Sequence, residues 1–158
     1  MARPDLRTFL ERSLTVLARE APESYRRLCG ALTGRRIRVD DGERPFALRF
    51  DAGAVLCADA DGQESIFAGI DRPTVLSLID GAITLEGALR SDRLVVRAGV
   101  TDVAVAFEGL LVYVRGALRC PSFPDLLSEF RILQTRSVDD ERRAQTSSRH
   151  IIRPPVVR

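Results

Sequence analysis

The chain has 158 residues, of which 45% are apolar and 29% charged, and its formal net charge is +2. This length predicts one domain, and the apolar content suffices for a core, which argues against a disordered chain. The near-neutral balance disfavours nucleic-acid binding, which usually needs a basic face on the fold. The three cysteines, Cys29, Cys57 and Cys120, are widely spaced, so the sequence predicts neither a disulfide framework nor a CxxC metal site.

Two amphipathic helices are predicted at the beginning of the chain. Apolar residues recur at helical spacing over residues 5–19, where Ser13 interrupts the apolar face. A second helix is expected to start at Pro22, a residue suited to the first turn, and to be capped by Gly34. The start of the chain has charges inside its apolar periodicity, which predicts no secretory signal and favours a cytoplasmic protein with reduced thiols.

Short strands are predicted in the middle of the chain. Alternating or apolar runs occupy residues 36–39, 46–50, 55–57 and 65–70, and the turns between them are rich in Asp and Gly. This pattern is typical of an antiparallel meander. Two short helices follow, the first ending at Gly81, then a fifth strand. This order predicts an α+β fold: a mainly antiparallel sheet of about five strands, with helices packed on one face and two N-terminal helices.

The most apolar helix is predicted over residues 100–118. Its apolar residues cover much of its circumference, which favours a helix buried on several sides, in the core or in the wall of an apolar cavity. Asp102, Glu108 and Arg115 argue against a transmembrane segment, because each would cost roughly 2.5–3.5 kcal/mol near a bilayer centre. A last helix is expected over residues 123–133.

The composition changes near residue 135. The segment after it is rich in Arg, Asp and Ser and lacks apolar periodicity. We therefore predict a single domain over residues 1–134, including the N-terminal helices, and a flexible Arg-rich tail over residues 135–158.

The middle of the chain resembles the sterol carrier protein 2 (SCP2) family of lipid-binding domains. The resemblance covers roughly residues 46–131 and rests on the order of elements. Strands lead into VLSLIDG at residues 75–81, LEGAL at residues 85–89 follows, and a strand and a closing helix come next. Where the family usually has Gly on each side of that strand, this chain has Asp92 and Ala98.

The resemblance implies an SCP2-like domain with an apolar tunnel between sheet and helices, which holds a fatty acid, acyl chain or sterol-like lipid without catalysis or cofactor. The main alternative is an interaction or oligomerisation module, in which the same side chains fill the core and the partner is a protein or a second copy. Neither hypothesis includes a nucleic acid. The predicted walls of the cavity are nine apolar residues: Val75, Leu78, Ile79, Leu89, Val103, Phe107, Leu110, Leu111 and Phe130.

Chemical motifs for catalysis or metal binding are weak in this sequence. His150, the only histidine, lies in the predicted tail, where an oriented imidazole is not expected. Asp59, Asp61 and Glu64 lie close together, but the Asp-Gly pattern favours a hairpin turn over an incomplete calcium loop. Cys120 is interpreted as a small buried hydrophobe rather than as a reactive thiol. The sequence therefore predicts no metal site and no enzyme.

Arginines surround the central stretch. One or two of them would suit a lipid carboxylate or phosphate at the mouth of a tunnel, whereas the alternative is a solvated rim with weak ion pairs. The candidates are Arg72, Arg90, Arg93, Arg97, Arg115 and Arg119.

Overall fold

A computed structural model describes residues 5–132; the predicted tail and His150 lie outside the described residues. The helices are α1 (Leu6–Glu20), α2 (Pro22–Leu32), α3 (Arg72–Ile79), α4 (Leu85–Arg90) and α5 (Val100–Ala117). A further helix, α6, occupies residues 123–132, up to the end of the described part. The strands are β1 (Arg36–Asp40), β2 (Phe46–Asp51), β3 (Ala54–Asp59), β4 (Ile66–Ile70) and β5 (Leu94–Arg97). The predicted α+β order of elements is confirmed.

The five strands form one mixed sheet in the order β3-β2-β1-β4-β5. The meander is confirmed for β1, β2 and β3, but β4 lies beside β1 and parallel to it, which corrects the prediction that it continues the meander. The connection after β3 crosses the outer face of the sheet, where Asp61 pairs with Arg49 at 2.5 Å and Arg36 at 3.6 Å. Asp59, Asp61 and Glu64 are thus part of an ion-paired crossing rather than a simple hairpin turn.

The inner face of the sheet carries the core. Strand alternation points Ile37 and Val39 of β1 to the same side as Phe46 and Leu48 of β2, which lie opposite them in the register. Two clusters of buried apolar residues rest on this face, one involving α1, α3 and α6 and the other α1, α2 and α5. The helices therefore pack on one face, as predicted.

Local signals in the sequence explain the helix ends. Asp5 caps α1 and Asp71 caps α3, each accepting a hydrogen bond of 2.8 Å from a backbone N–H of the first turn. Gly81 follows the end of α3 with φ +69°, a left-handed conformation that favours glycine. Its N–H donates to the Leu78 carbonyl at 3.2 Å, and the Ala82 N–H donates to the Ser77 carbonyl at 2.9 Å. This is the glycine-terminated helix end predicted from the sequence.

Ser13 interrupts the apolar face of α1 because it makes a buried polar contact. The residue is fully buried, and its hydroxyl donates to the Leu10 carbonyl at 2.8 Å. The Tyr113 hydroxyl of α5 donates to Ser13 Oγ at 2.7 Å. Burial raises the pKa of Tyr113 to about 12, so the phenol remains a proton donor at neutral pH. The contact satisfies both hydroxyls and fixes α5 against α1.

Candidate functional site

Helix α5 packs against α1 and α2 through its small residues. Gly109, Gly116 and Ala117 are its buried positions. A Cβ atom at Gly109 would lie 2.6 Å from Leu32 Cδ1, and one at Gly116 would lie 2.5 Å from Leu17 Cδ1. These distances are too short for real contacts, so glycine is what allows the helices to approach this closely.

The opposite side of α5 exposes large apolar residues. Val100 is 90% exposed and Leu118, just beyond the helix, is 83% exposed; Leu110, Leu111 and Val114 are also exposed, at 38%, 51% and 43%. The expectation that this helix is buried on several sides is therefore wrong for the described part of the chain. The reason is that α1 and α2 cover only the side with the small residues, and no described helix covers the other.

A second group of incompletely buried apolar residues lies around β4 and β5. On the inner face of these strands, Ala68, Ile70 and Val96 are only partly buried, whereas Ile66 and Leu94 are buried. The elements around this part of the sheet are α3, α4 and α5, since α4 contacts β5, α5 contacts β4 and α3 contacts α4. Partly buried apolar residues thus occur on the inner face at β1 and β2 (Ile37 and Leu48) as well as at β4 and β5, and those at β4 and β5 lie beside α3, α4 and α5.

The nine predicted wall residues fall into three environments. Leu110 and Leu111 lie on the exposed side of α5, and Phe130 is buried to 2% exposure in the core, with its ring stacked on Phe9 at a centroid distance of 4.4 Å. The remaining six are partly buried and come from the three helices beside β4 and β5. These six are Val75, Leu78 and Ile79 of α3, Leu89 of α4, and Val103 and Phe107 of α5.

Three of the candidate arginines already have partners. Arg72 donates to the Phe130 carbonyl at 2.7 Å and stacks over the Phe130 ring at 4.4 Å, and its burial lowers its pKa. Arg90 pairs with Glu86 one turn earlier in α4. Arg97 lies over the ring of Phe67 at 5.5 Å. By strand alternation that contact is on the outer face, away from the helices.

The other candidates, Arg93, Arg115 and Arg119, are exposed and form no ion pair with another residue between 5 and 132. They remain available for an anionic group.

A polar groove of about 440 Å³ lies between α1 and α6, where sequence reasoning predicted no site. Its lining is mostly charged or hydroxylic, and an ion pair between Arg12 and Glu129 joins the two helices there. Such a lining does not suit an acyl chain. The residues that form it are Glu11, Arg12, Thr15, Val16, Arg19, Ser122, Asp125, Leu126 and Glu129.

The cysteines are free thiols in surroundings that disfavour the thiolate. Desolvation raises the pKa of Cys29 and of Cys120, and it raises the pKa of Cys57 to about 11. A thiol with a raised pKa is a poor nucleophile at neutral pH. Within residues 5–132 no group of three or more His, Cys, Asp or Glu side chains is arranged to hold a metal ion. Among the helices of this described part, none combines the length and the apolar character that a membrane span requires.

Three solved structures resemble the described part of the chain. The chain is similar to a UbiJ-SCP2 ubiquinone synthesis protein, with TM-score 0.48 and 19% identity over 63% of this chain and 81% of that one. It is also similar to a conserved hypothetical protein from Thermus thermophilus whose description links it to sterol carrier proteins, with TM-score 0.43 and 17% identity over 67% and 84%. A crystal structure of sterol carrier protein 2 matches with TM-score 0.39 and 15% identity over 76% and 94%.

No family model matches the sequence, and no curated protein matches it.

Proposed function

We propose that this protein binds a hydrophobic ligand, such as a fatty acid or another acyl lipid, between the inner face of β4–β5 and helices α3, α4 and α5. The observation that supports the proposal is the incomplete burial of apolar side chains that point toward the helix-covered side of the sheet. Burying such surface under a ligand is favourable, by about 25 cal/mol per Å². The walls in this proposal are Val75, Leu78, Ile79, Leu89, Val103 and Phe107.

Leu110, Leu111 and Phe130 have lesser parts in this proposal. Leu110 is 38% exposed and would lie at the outer edge of the ligand. Leu111 is more exposed, and Phe130 is packed into the core, so neither is expected to contribute much to affinity.

The energetics are compatible with such a ligand. An acyl chain of about 14 methylenes gains roughly 11 kcal/mol on burial at about 0.8 kcal/mol each. Association and ordering cost on the order of 4–15 kcal/mol. Micromolar affinity therefore requires that most of the site exist before the ligand arrives.

The proposed role is that of a binding protein rather than an enzyme. The six wall residues are all aliphatic or aromatic, so they offer no acid, base or nucleophile to a bound ligand. The raised pKa values of the three thiols also argue against an enzyme, because such thiols are poor nucleophiles at neutral pH. We also propose a cytoplasmic location, because free cysteines are what a reducing compartment maintains.

The direct test is to titrate the delipidated full chain with a fluorescent fatty acid across the micromolar range. Leu78→Arg places a charge among the walls and should weaken probe binding at least about tenfold, because an unpaired charge in an apolar site is unfavourable. Leu56→Arg is the matched control, since Leu56 is 54% exposed on β3. This variant should bind the fluorescent fatty acid as tightly as the wild type does.

A flat titration with the wild-type chain, with the fold intact by circular dichroism, would contradict the proposal. Equal loss of binding in both variants would also contradict it, because the site would then not be the one between β4–β5 and the three helices. Native mass spectrometry of the protein as purified from cells should in addition detect a retained lipid as added mass.

A further inference from the structure

We infer that the exposed side of α5 is a docking surface for a second copy of this chain, which binds in antiparallel orientation about a two-fold axis. We call this surface the α5 front face. It consists of apolar residues on one side of the helix and just beyond its end, all exposed except Phe107, which is partly buried and is also one of the proposed ligand walls: Val100, Ala104, Phe107, Leu111, Val114 and Leu118. The inference does not depend on the proposed ligand.

The spacing of the front face favours another helix as its partner. Its six residues follow one another at steps of four, three, four, three and four. An apolar repeat averaging 3.5 residues is the seam of two helices packed against each other. The opposite side of α5 is already occupied by α1 and α2 through Gly109 and Gly116. Helix α5 thus buries its small residues and leaves the large ones for an additional contact.

The charges beside the seam select a second copy in antiparallel orientation. Glu108 and Arg115 lie seven residues apart on the same flank of the front face, and both are exposed. Neither forms an ion pair with any residue in the described range 5–132.

In an antiparallel pair with Leu111 beside the two-fold axis, Glu108 of each copy lies opposite Arg115 of the other. The same surface then supplies both halves of two ion pairs, as an isologous interface requires. In a parallel pair, this flank would instead face the opposite flank of the partner helix, which carries Val103 and Leu110, so the two charges would find no partner across the seam.

The size of the surface sets the expected strength. A helix of 18 residues is about 27 Å long, so one helix pair buries less than the roughly 1,000 Å² typical of a stable interface. We therefore expect a reversible dimer that forms in the micromolar range. A lipid surface suits this face less well, because interfacial helices usually carry Lys or Arg along their polar face, and here Glu108 lies next to the seam.

The test uses sedimentation velocity on the full chain from about 1 to 100 μM, a range that brackets micromolar dissociation constants. Glu108→Arg and Arg115→Glu should each raise the dissociation constant about tenfold, because each substitution occurs twice in a two-fold dimer and makes both ion pairs repulsive. The double variant restores opposite charges and should return to within about threefold of the wild type. Arg27→Glu, an exposed site on α2, is the charge-matched control and should dimerise normally.

A cross-link tests the position of the axis. Leu111→Cys places a thiol beside the same residue of the second copy, so oxidation should give a covalent dimer. Val100→Cys is equally accessible but lies about 17 Å along the helix from the axis, which separates the two thiols by roughly 35 Å and should prevent cross-linking.

Three results would overturn the inference. The chain could remain a monomer at the highest concentration, the charge reversals could leave the dissociation constant unchanged, or the double variant could keep a raised dissociation constant. Flotation with anionic vesicles by a chain that stays monomeric would assign the face to a lipid surface. None of these outcomes bears on probe binding at Leu78, so this inference and the proposed ligand can fail separately.

Discussion

The core beside α1 and α6 and the exposed side of α5 differ in how completely their apolar side chains are buried. Over β1 and β2, the core is closed by aromatic and branched residues such as Phe9, Phe46 and Phe130, each at most 5% exposed. Around β4, β5 and the front of α5, side chains of similar size remain partly or largely exposed, as Leu111 and Val114 are. The protein therefore has a packed half, which supplies stability, and an open half, in which apolar side chains remain partly or largely exposed to solvent.

This difference separates the residues that stabilise the fold from those to which the proposed interactions are assigned. A protein gains most from residues that are fully buried, so substitutions in the packed half should be costly. Apolar residues that stay exposed contribute little to folding, and the proposed dimer contact is built mainly from them. Matched substitutions in the two regions should therefore have unequal effects on stability.

The largest expected contrast is between two phenylalanines. Phe130→Ala should destabilise the protein by about 3–5 kcal/mol, because it leaves a cavity beside Phe9 and under Arg72. Phe107→Ala, at a partly exposed position, should cost less than about half of that. Urea unfolding of both variants measures the difference. Equal losses would mean that the open half is packed as tightly as the closed one.

A smaller contrast is expected between two helical glycines. Gly116→Ala should cost about 1–3 kcal/mol, since its Cβ would overlap Leu17 and Ser24 and force α5 away. Gly30→Ala has no atom within 4 Å of the new Cβ and should stabilise α2 by about 0.5–1 kcal/mol. Thermal unfolding gives the sign of each change, and a neutral Gly116→Ala would show that α5 has room to move.

The contact between Glu20 and Ser122, in the packed half, should make the free energy of unfolding depend on pH in the acid range. Ser122 donates to Glu20 from its backbone N–H at 3.0 Å and from its hydroxyl at 2.5 Å, and these bonds, with Arg19, hold the pKa of Glu20 at about 2 instead of 4.5. Because the pKa is lowered on folding, this stabilisation is complete above pH 4.5 and is lost as the pH falls toward 2.

Glu20→Gln should therefore show a shallower fall of unfolding free energy over that acid range than the wild type. Glu43→Gln, at an exposed loop position, serves as the control and should keep the wild-type slope. Identical slopes for all three chains would show that the carboxylate of Glu20 gains nothing from Ser122 in solution.

The smallest effect is expected on the front face of α5. Leu111→Gln should change the free energy of unfolding by no more than about 0.5 kcal/mol in dilute solution, because the side chain is 51% exposed in the single chain. Leu17→Ala, on the side of α1 that faces Gly116, should cost about 2–5 kcal/mol. A large loss for Leu111→Gln would mean that this residue is buried in the monomer.

Much of the fold was predictable because its signals are local. Asp-Gly turns, the Pro22 start of α2 and the Gly81 end of α3 each depend on a few neighbouring residues, and all are present in the structure. The position of β4 was not predictable in this way. Pairing with β1 rather than with β3 depends on contacts between distant residues, including the ion pairs of Asp61 across the outer face.

The candidate site likewise has features that local sequence signals predict and features that depend on contacts between distant residues. The long apolar helix α5 and the two short helices before it, α3 and α4, could be predicted from the sequence, because periodicity and helix ends are properties of short segments. Which side of α5 is buried was decided only by tertiary structure. Gly109 and Gly116 look like weak helix positions in the sequence, yet they admit Leu32 and Leu17, and this close approach turns Leu111 and its neighbours outward.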